Sequence, residues 1–124
     1  MTGKILIIDD EQAMCELLET DLRLRDFETE WHTSAADAVQ AVNRRDYDVV
    51  LTDLNMPGTN GIQLCEHIAT NRPDIPVVMM TAFGSLESAV EAIRAGAYDF
   101  VTKPIEMDLL SVTLSRAIKH RQLE

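Results

Sequence analysis

Polar side chains with the makings of one reactive site follow four short apolar segments of the sequence. Asp9 and Asp10 follow the first segment, Asp53 and Thr81 close two later ones, and Lys103 follows the last. Two carboxylates about 4 Å apart repel by roughly 4 kcal/mol at an effective dielectric of about 20, so a single lysine cannot offset three of them. Carboxylate oxygens are ligands that Mg²⁺ prefers. We therefore predict a magnesium site.

A magnesium ion beside a carboxylate, with an ammonium and a hydroxyl opposite, is an arrangement for phosphoryl transfer. Asp53 can attack phosphorus in line and keep the group as an acyl phosphate, as aspartyl nucleophiles do. Lys103 can neutralise phosphoryl oxygens, and the Thr81 hydroxyl can donate a hydrogen bond to the new group.

The positions of these residues depend on five predicted strands, which are apolar or alternating runs. They cover residues 4–9, 27–32, 48–53, 76–81 and 98–102. Amphipathic helices are predicted between and after them, at 11–25, from the N-cap Ser34, from Ile62 to Pro73, from Ser85 to Gly96, and over 109–118. This alternation predicts an α/β fold with a parallel sheet, whose carboxyl edge gathers the polar residues.

Length and composition limit the possible functions. The 124 residues suit one domain, and the net charge of -10 disfavours direct nucleic-acid binding. No apolar run approaches the ~18 residues of a membrane span, and no secretory signal is recognisable, so we expect a cytoplasmic protein without membrane contact. Cys15 and Cys65 match no metal spacing and are expected to be small apolar residues in a reducing cytosol.

Four segments together resemble the receiver domain of bacterial two-component response regulators over essentially the whole chain, 1–124. They are Ile8-Asp9-Asp10-Glu11, the run from Asp53 to Gly58 with Gly61, Met80-Thr81-Ala82, and Lys103-Pro104. The resemblance implies a flavodoxin-like (CheY-like), doubly wound, five-stranded parallel sheet with strand order 2-1-3-4-5 and helices on both faces.

The same resemblance implies roles for the acidic residues. Asp53 would be the phosphoacceptor and would take phosphate from the histidine of a sensor histidine kinase. Asp10 would bind Mg²⁺ directly, Asp9 would bind it through water, and the backbone carbonyl of Asn55 would complete the protein ligands.

Further roles implied by the resemblance concern switching. Thr81 would move toward the phosphoryl group, and Phe100, where many relatives carry tyrosine, would swing inward. The Lys103–Pro104 bond is expected to be cis, which helps to aim the lysine.

Two more positions, Asn55 and Phe83, tune the lifetime of the phosphoryl group in this family. The stretch 83–100 is similar to receivers of the nitrogen-regulator (NtrC-like) class, which precede an AAA+ ATPase and a DNA-binding helix-turn-helix. Such effector domains lie outside this chain, which is either an excised receiver or a stand-alone one acting through protein contacts.

The expected output surface consists of the fourth helix, the fifth strand and the fifth helix. Val90, Ile93, Leu110 and Leu114 are expected to support it, and Tyr98 is expected to show on it. An effector domain, or a second copy in a homodimer, is the predicted partner, and transcription regulation is the expected output.

Two other functions compete with a signalling switch that has only phosphotransfer and slow autodephosphorylation. An aspartyl phosphohydrolase typically needs a second acid two residues after the nucleophile, where this chain has Asn55, which cannot donate a proton in that way. A flavodoxin-like nucleotide binder needs a Gly-, Ser- or Thr-rich loop after the first strand. Here that loop begins Asp9-Asp10-Glu11, which repels phosphate unless a metal is bound.

Overall fold

A computed structural model describes residues 3–56, 60–82 and 85–123. Within these residues, five strands alternate with five helices. The strands are Lys4–Ile8 (β1), Glu28–His32 (β2), Val49–Asp53 (β3), Val77–Thr81 (β4) and Asp99–Thr102 (β5). The helices are Gln12–Leu24 (α1), Ala35–Arg44 (α2), Gly61–Asn71 (α3), Leu86–Arg94 (α4) and Met107–Gln122 (α5).

All strands pair in parallel in one sheet of order β2-β1-β3-β4-β5. This is the predicted five-stranded, doubly wound fold with strand order 2-1-3-4-5. The strand order reverses at β1, because β2 pairs with one side of β1 and β3 pairs with the other. In such sheets the ligand site lies beyond the carboxyl ends of the strands near this reversal.

The core consists of two layers, one on each face of the sheet. In β1, Leu6 and Ile8 face the layer covered by α2, α3 and α4, whereas Ile5 and Ile7 face the layer covered by α1 and α5. Successive side chains of a strand point to opposite faces, so a strand buried on both faces must be apolar throughout. The edge strand β2 is only half-buried, which explains its alternating sequence.

Helix starts are defined mainly by side-chain caps. Ser34 and Ser85 accept hydrogen bonds from the backbone N–H groups of Asp37 and Ser88, which confirms both predicted caps. Asn60 caps α3 in a reciprocal capping box. Gly96 follows α4 with a φ of +104°, a conformation that glycine adopts without strain.

The two cysteines are free, and both are buried. Burial raises the pKa of each thiol to about 11, so both remain protonated and unreactive at neutral pH. No helix within the described ranges combines the length and apolar character needed to cross a bilayer.

At the amino-terminal edge of the sheet, two arginines and three aspartates form what we call the basal ion-pair cluster: Asp46, Asp48, Arg72, Asp74 and Arg121. Arg72 contacts Asp46 at 2.7 Å and Asp74 at 3.2 Å. Arg121 contacts Asp46 at 2.7 Å, and Asp48 and Asp74 at 3.0 Å each. The cluster therefore connects α5 to the loops that precede β3 and β4.

This cluster predicts a specific acid response. Hydrogen bonds from Arg72, and from Arg121, outweigh partial burial and lower the pKa of Asp74 from 3.8 to about 2. A carboxylate with a lowered folded-state pKa stabilises the protein above its unfolded pKa, and that contribution disappears as the pH falls through the folded value. Asp74→Asn should therefore melt below the wild type at neutral pH, and the gap should close between about pH 4 and pH 2.

Thermal melts followed by circular dichroism across this pH range test the prediction. A gap that stays constant down to the lowest pH would contradict the assigned role of the two arginines in lowering the pKa of Asp74.

Candidate functional site

The carboxyl ends of β1, β3, β4 and β5 lie side by side, because these strands are consecutive in the sheet. Asp9 and Asp10 follow β1, Asp53 and Thr81 are the last residues of β3 and β4, and Lys103 comes directly after β5. The Lys103 Nζ atom lies 3.3 Å from Asp53 Oδ2 and 3.6 Å from Asp9 Oδ2. The structure therefore brings the predicted acids and their lysine together.

The three carboxylates form a compact cluster. One oxygen from each of Asp9, Asp10 and Asp53 lies within 4.8 Å of the other two. Asp9 is fully buried and Asp53 is 6% exposed, whereas Asp10 faces solvent. Two of the three negative charges are thus largely removed from water. Charges in such buried positions are screened least.

The single positive charge of Lys103 does not neutralise the three carboxylates of this cluster. Burial raises the pKa of Asp9, against the opposing effects of a hydrogen bond from the Glu11 backbone N–H and of the Lys103 charge. Burial lowers the pKa of Lys103, but attraction to Asp53 and Asp9 outweighs this, so its pKa is raised overall. The lysine is therefore charged at neutral pH and is shared between two carboxylates.

These residues fit a hard divalent cation. Asp9 Oδ2 is buried and, with the Lys103 ammonium 3.6 Å away, has no partner within hydrogen-bond distance among the residues that the structure describes. A buried carboxylate oxygen without a hydrogen bond is costly unless a cation or water binds it more closely. Carboxylate oxygens from Asp9, Asp10 and Asp53 are suitable ligands for Mg²⁺. Asn55 is exposed, and its backbone carbonyl stays a predicted ligand. The backbone nitrogen of Asn55 lies 3.4 Å from Asp53 Oδ1.

The start of α3 packs directly against the backbone of Asp53. The N–H of Gly61 donates to the carbonyl of Leu54 at 3.0 Å. A Cβ atom at position 61 would lie 2.2 Å from the carbonyl oxygen of Asp53 and 2.8 Å from Cα of Leu54. Only glycine allows this approach. Gly61 was visible in the sequence as part of a motif, but its steric role appears only in the structure.

The predicted switch residues lie on neighbouring strands. Thr81 is buried, and its hydroxyl donates to the carbonyl of Val101 at 3.4 Å, which joins β4 to β5. Phe100 is partly buried against the layer of α2, α3 and α4. The Lys103–Pro104 peptide bond is cis, as expected. Phe83, the predicted lifetime-tuning residue, lies outside the described residues, and its role stays a prediction.

The four apolar residues expected to support the output face differ in exposure. Val90 and Ile93 of α4 are 39% and 48% exposed, but Leu110 and Leu114 are fully buried in the core. They support the face only from beneath. The exposed apolar residues of α5 are instead Leu109 and Val112, which are 57% and 47% exposed.

Curated proteins resemble this chain over nearly its full length. It is 37% identical over 121 residues to the response regulator protein PilR of Pseudomonas aeruginosa, and this alignment covers 98% of this chain and 27% of PilR. It is 36% identical over 122 residues to the regulatory protein AtoC of Escherichia coli, and this alignment covers 98% of this chain and 26% of AtoC. The chain thus spans about a quarter of the length of these relatives.

Solved structures agree with this result. NtrX from Brucella abortus superposes with a TM-score of 0.92 at 36% identity, over 99% of this chain and 28% of that one. The isolated receiver domain of NtrX gives a TM-score of 0.87 at 37% identity, over 93% of this chain and 98% of that one. The sequence model of the family described as response regulator receiver domain matches residues 5–115. The chain therefore belongs to the response regulator receiver domain family, and its relatives PilR, AtoC and NtrX are regulators of the NtrC-like class.

Proposed function

We propose that Asp53 accepts a phosphoryl group from the phosphohistidine of a sensor histidine kinase in a magnesium-dependent reaction. One observation carries this proposal. The largely buried carboxylate of Asp53 lies at a strand end, 3.3 Å from the Lys103 ammonium and beside two further carboxylates. That arrangement presents a nucleophilic oxygen next to positive charge, as transfer of a phosphoryl group requires.

In the proposed reaction a carboxylate oxygen of Asp53 forms a bond to phosphorus while the phosphorus–nitrogen bond to the kinase histidine breaks. The imidazole keeps the electron pair of that bond. Lys103, which is charged at neutral pH, attracts the phosphoryl oxygens as they arrive. Mg²⁺ bound by Asp9, Asp10 and Asp53, with the Asn55 carbonyl, would add positive charge beside the same oxygens. The acyl phosphate is later hydrolysed, which resets the switch.

Relay of the signal is proposed to begin at Thr81. Its hydroxyl would exchange the carbonyl of Val101 for a phosphoryl oxygen, which is the stronger, charged acceptor. Because Val101 lies on β5 next to Phe100, loss of this bond frees β5 to adjust and favours the inward position of Phe100. The phosphoryl group thus stabilises one of two arrangements of this region, which is a population shift.

The proposed output surface combines α4, β5 and α5. Its exposed apolar residues are Leu86, Val90, Ile93, Leu109 and Val112. An effector domain of the same protein, such as the AAA+ ATPase and DNA-binding domain of NtrC-like regulators, would meet this surface and control transcription in the cytoplasm. A homodimer through the same surface, or a stand-alone receiver that contacts a partner protein, is an alternative form of this output.

A phosphohydrolase that uses the same nucleophile is the less favoured function. The position two residues after Asp53 is occupied by Asn55, whose side chain cannot act as a general acid. This favours a domain that keeps its phosphoryl group over one that turns over rapidly.

The proposal is tested by incubating the protein with acetyl phosphate and Mg²⁺ and measuring its intact mass. We expect one phosphoryl group per chain, mapped to the peptide that contains Asp53, and no label when a chelator removes the metal. Release of many phosphates per chain without a retained label would instead support the phosphohydrolase.

A second test concerns Lys103. Its ammonium is the described cation nearest to Asp53, so Lys103→Met should slow labelling of Asp53 by about 100-fold, the cost typical of losing one preorganised donor. The initial rate of mass increase measures this effect. Lys119→Met, at an exposed position in the last turn of α5, is the matched control and should label at the wild-type rate.

A further inference from the structure

The last turn of α5, residues 119–122, has little apolar packing. Ile118 is buried, but Lys119 and His120 are exposed, and Leu123 beyond the turn is 83% exposed. A cavity of about 290 Å³ adjoins this turn and is lined in part by Asp74, Gly96, Tyr98 and His120. The ring of His120 contacts that of Tyr98 at its rim, at a centroid distance of 5.1 Å. Apolar burial therefore does little to fix the end of the helix.

Arg121 supplies a polar attachment for this turn. Its side chain is only 17% exposed, although it lies in the last turn of a helix. Nη1 lies 3.0 Å from Asp48, and Nη2 lies 2.7 Å from Asp46 and 3.0 Å from Asp74. The three carboxylates belong to the loops before β3 and β4, so one guanidinium joins α5 to two separate parts of the sheet base.

The other end of α5 is close to the proposed phosphorylation site. The helix begins at Met107, four residues after Lys103, and its first turn is capped by Glu106, whose side chain accepts from the N–H groups of Asp108 and Leu109. A movement of Lys103 therefore acts first on the start of the helix.

We infer that Arg121 is a positioning residue that holds the C-terminal turn of α5 against the base of the sheet and makes it the pivot of the helix. When the site at the opposite edge changes state, the start of α5 moves and its end stays in place. This pivot rests on the proposed function for its trigger, but the attachment itself does not. The direction in which the chain leaves α5 is consequently the same in both states.

Hydrogen–deuterium exchange on the 124-residue chain tests the attachment. Arg121→Gln should raise amide exchange in residues 119–122 by about tenfold, as expected when charged hydrogen bonds that oppose local opening are lost. Arg116→Gln is the matched control, because Arg116 is exposed on the same helix. Arg121→Lys should behave like Arg121→Gln, since an ammonium cannot span three carboxylates as a guanidinium does.

Equal exchange in the Arg121→Gln and Arg116→Gln variants, or full protection in Arg121→Lys, would overturn the inference. Should Arg121→Gln fail to fold, Asp46→Ala, which removes one acceptor of Arg121, is expected to raise exchange in the same turn, and unchanged exchange there would also overturn the inference.

Exchange in the presence of beryllofluoride, a phosphoryl mimic, tests the pivot. In the wild type it should change the first turn of α5 and leave residues 119–122 unchanged, whereas in Arg121→Gln both ends should change. A wild-type response as large at the last turn as at the first would overturn the pivot. Absence of beryllofluoride binding would count against the proposed function alone, because the comparison of variants without it still measures the attachment.

Discussion

Asp53→Asn is expected to abolish covalent phosphoryl labelling by acetyl phosphate. The amide oxygen of asparagine is a poor nucleophile, and the amide carries no charge to share with Lys103 or with a metal ion. The substitution preserves size and shape, so the fold should persist. It also removes one of two buried like charges while Lys103 keeps Asp9 as a partner, so the melting temperature without Mg²⁺ should be at least as high as in the wild type.

The control for this prediction is Thr81→Ala. The Thr81 hydroxyl donates to the carbonyl of Val101 and is not the proposed acceptor, so this variant should still take up one phosphoryl group per chain. Intact mass and circular dichroism of both variants decide the matter. A folded Asp53→Asn protein that still carries the label would rule out the site assignment.

The positions of the acidic residues could be predicted because sequence and strand geometry agree there. The runs that lead to Asp9 and Asp53 are apolar apart from Thr52, which is typical of strands buried on both faces. Parallel strands place their carboxyl ends at one edge, so residues far apart in sequence were expected to meet. In the structure β3 ends on Asp53 and β4 ends on Thr81, as predicted.

The basal ion-pair cluster could not have been predicted in the same way. Arg121 lies 75 residues from Asp46 and 47 from Asp74 in the sequence. Charged residues in loops and at helix ends are usually solvated, and no periodic pattern connects such pairs. Their contacts depend on how two loops and a helix end pack at the base, which is a property of the folded chain only.

The exposed apolar residues of α5 could not be predicted either, for a different reason. Apolar residues occur on more than one side of this helix, so its sequence does not define a single buried stripe. Leu109 and Leu110 are adjacent in sequence, yet the first is 57% exposed and the second is fully buried. The packing of the helix against α1 and the sheet, rather than its composition, determines which leucine reaches solvent.

Gly61→Ala is expected to cause the largest loss of stability among single-methyl additions to the described glycines. The new Cβ would meet the backbone of Asp53 and Leu54, at 2.2 Å and 2.8 Å, and neither group can rotate away. Overpacking typically costs about 1–3 kcal/mol, and a backbone clash should reach or exceed the upper end of that range. Urea unfolding of both proteins measures the difference in the free energy of unfolding.

Gly3→Ala is the matched control. Its Cβ would also be crowded, at 2.8 Å from Asp48 Oδ2, 3.0 Å from Ile118 Cδ1 and 3.1 Å from Asp48 Cβ, but these are side-chain atoms rather than backbone. Gly3→Ala should therefore cost less than Gly61→Ala. Equal stability of the two variants would contradict the close approach of α3 to β3.

Gly61→Ala is also expected to slow the labelling of Asp53. Relief of the clash requires α3 to move away from the end of β3, which carries Asp53. Under conditions in which the Gly61→Ala variant stays folded, Asp53 should therefore be labelled more slowly than in the Gly3→Ala variant. Misplacement of a reacting group by about 1 Å can lower the rate by up to about 100-fold. Normal labelling by a destabilised Gly61→Ala protein would mean that α3 yields without displacing Asp53, so that its glycine serves packing alone.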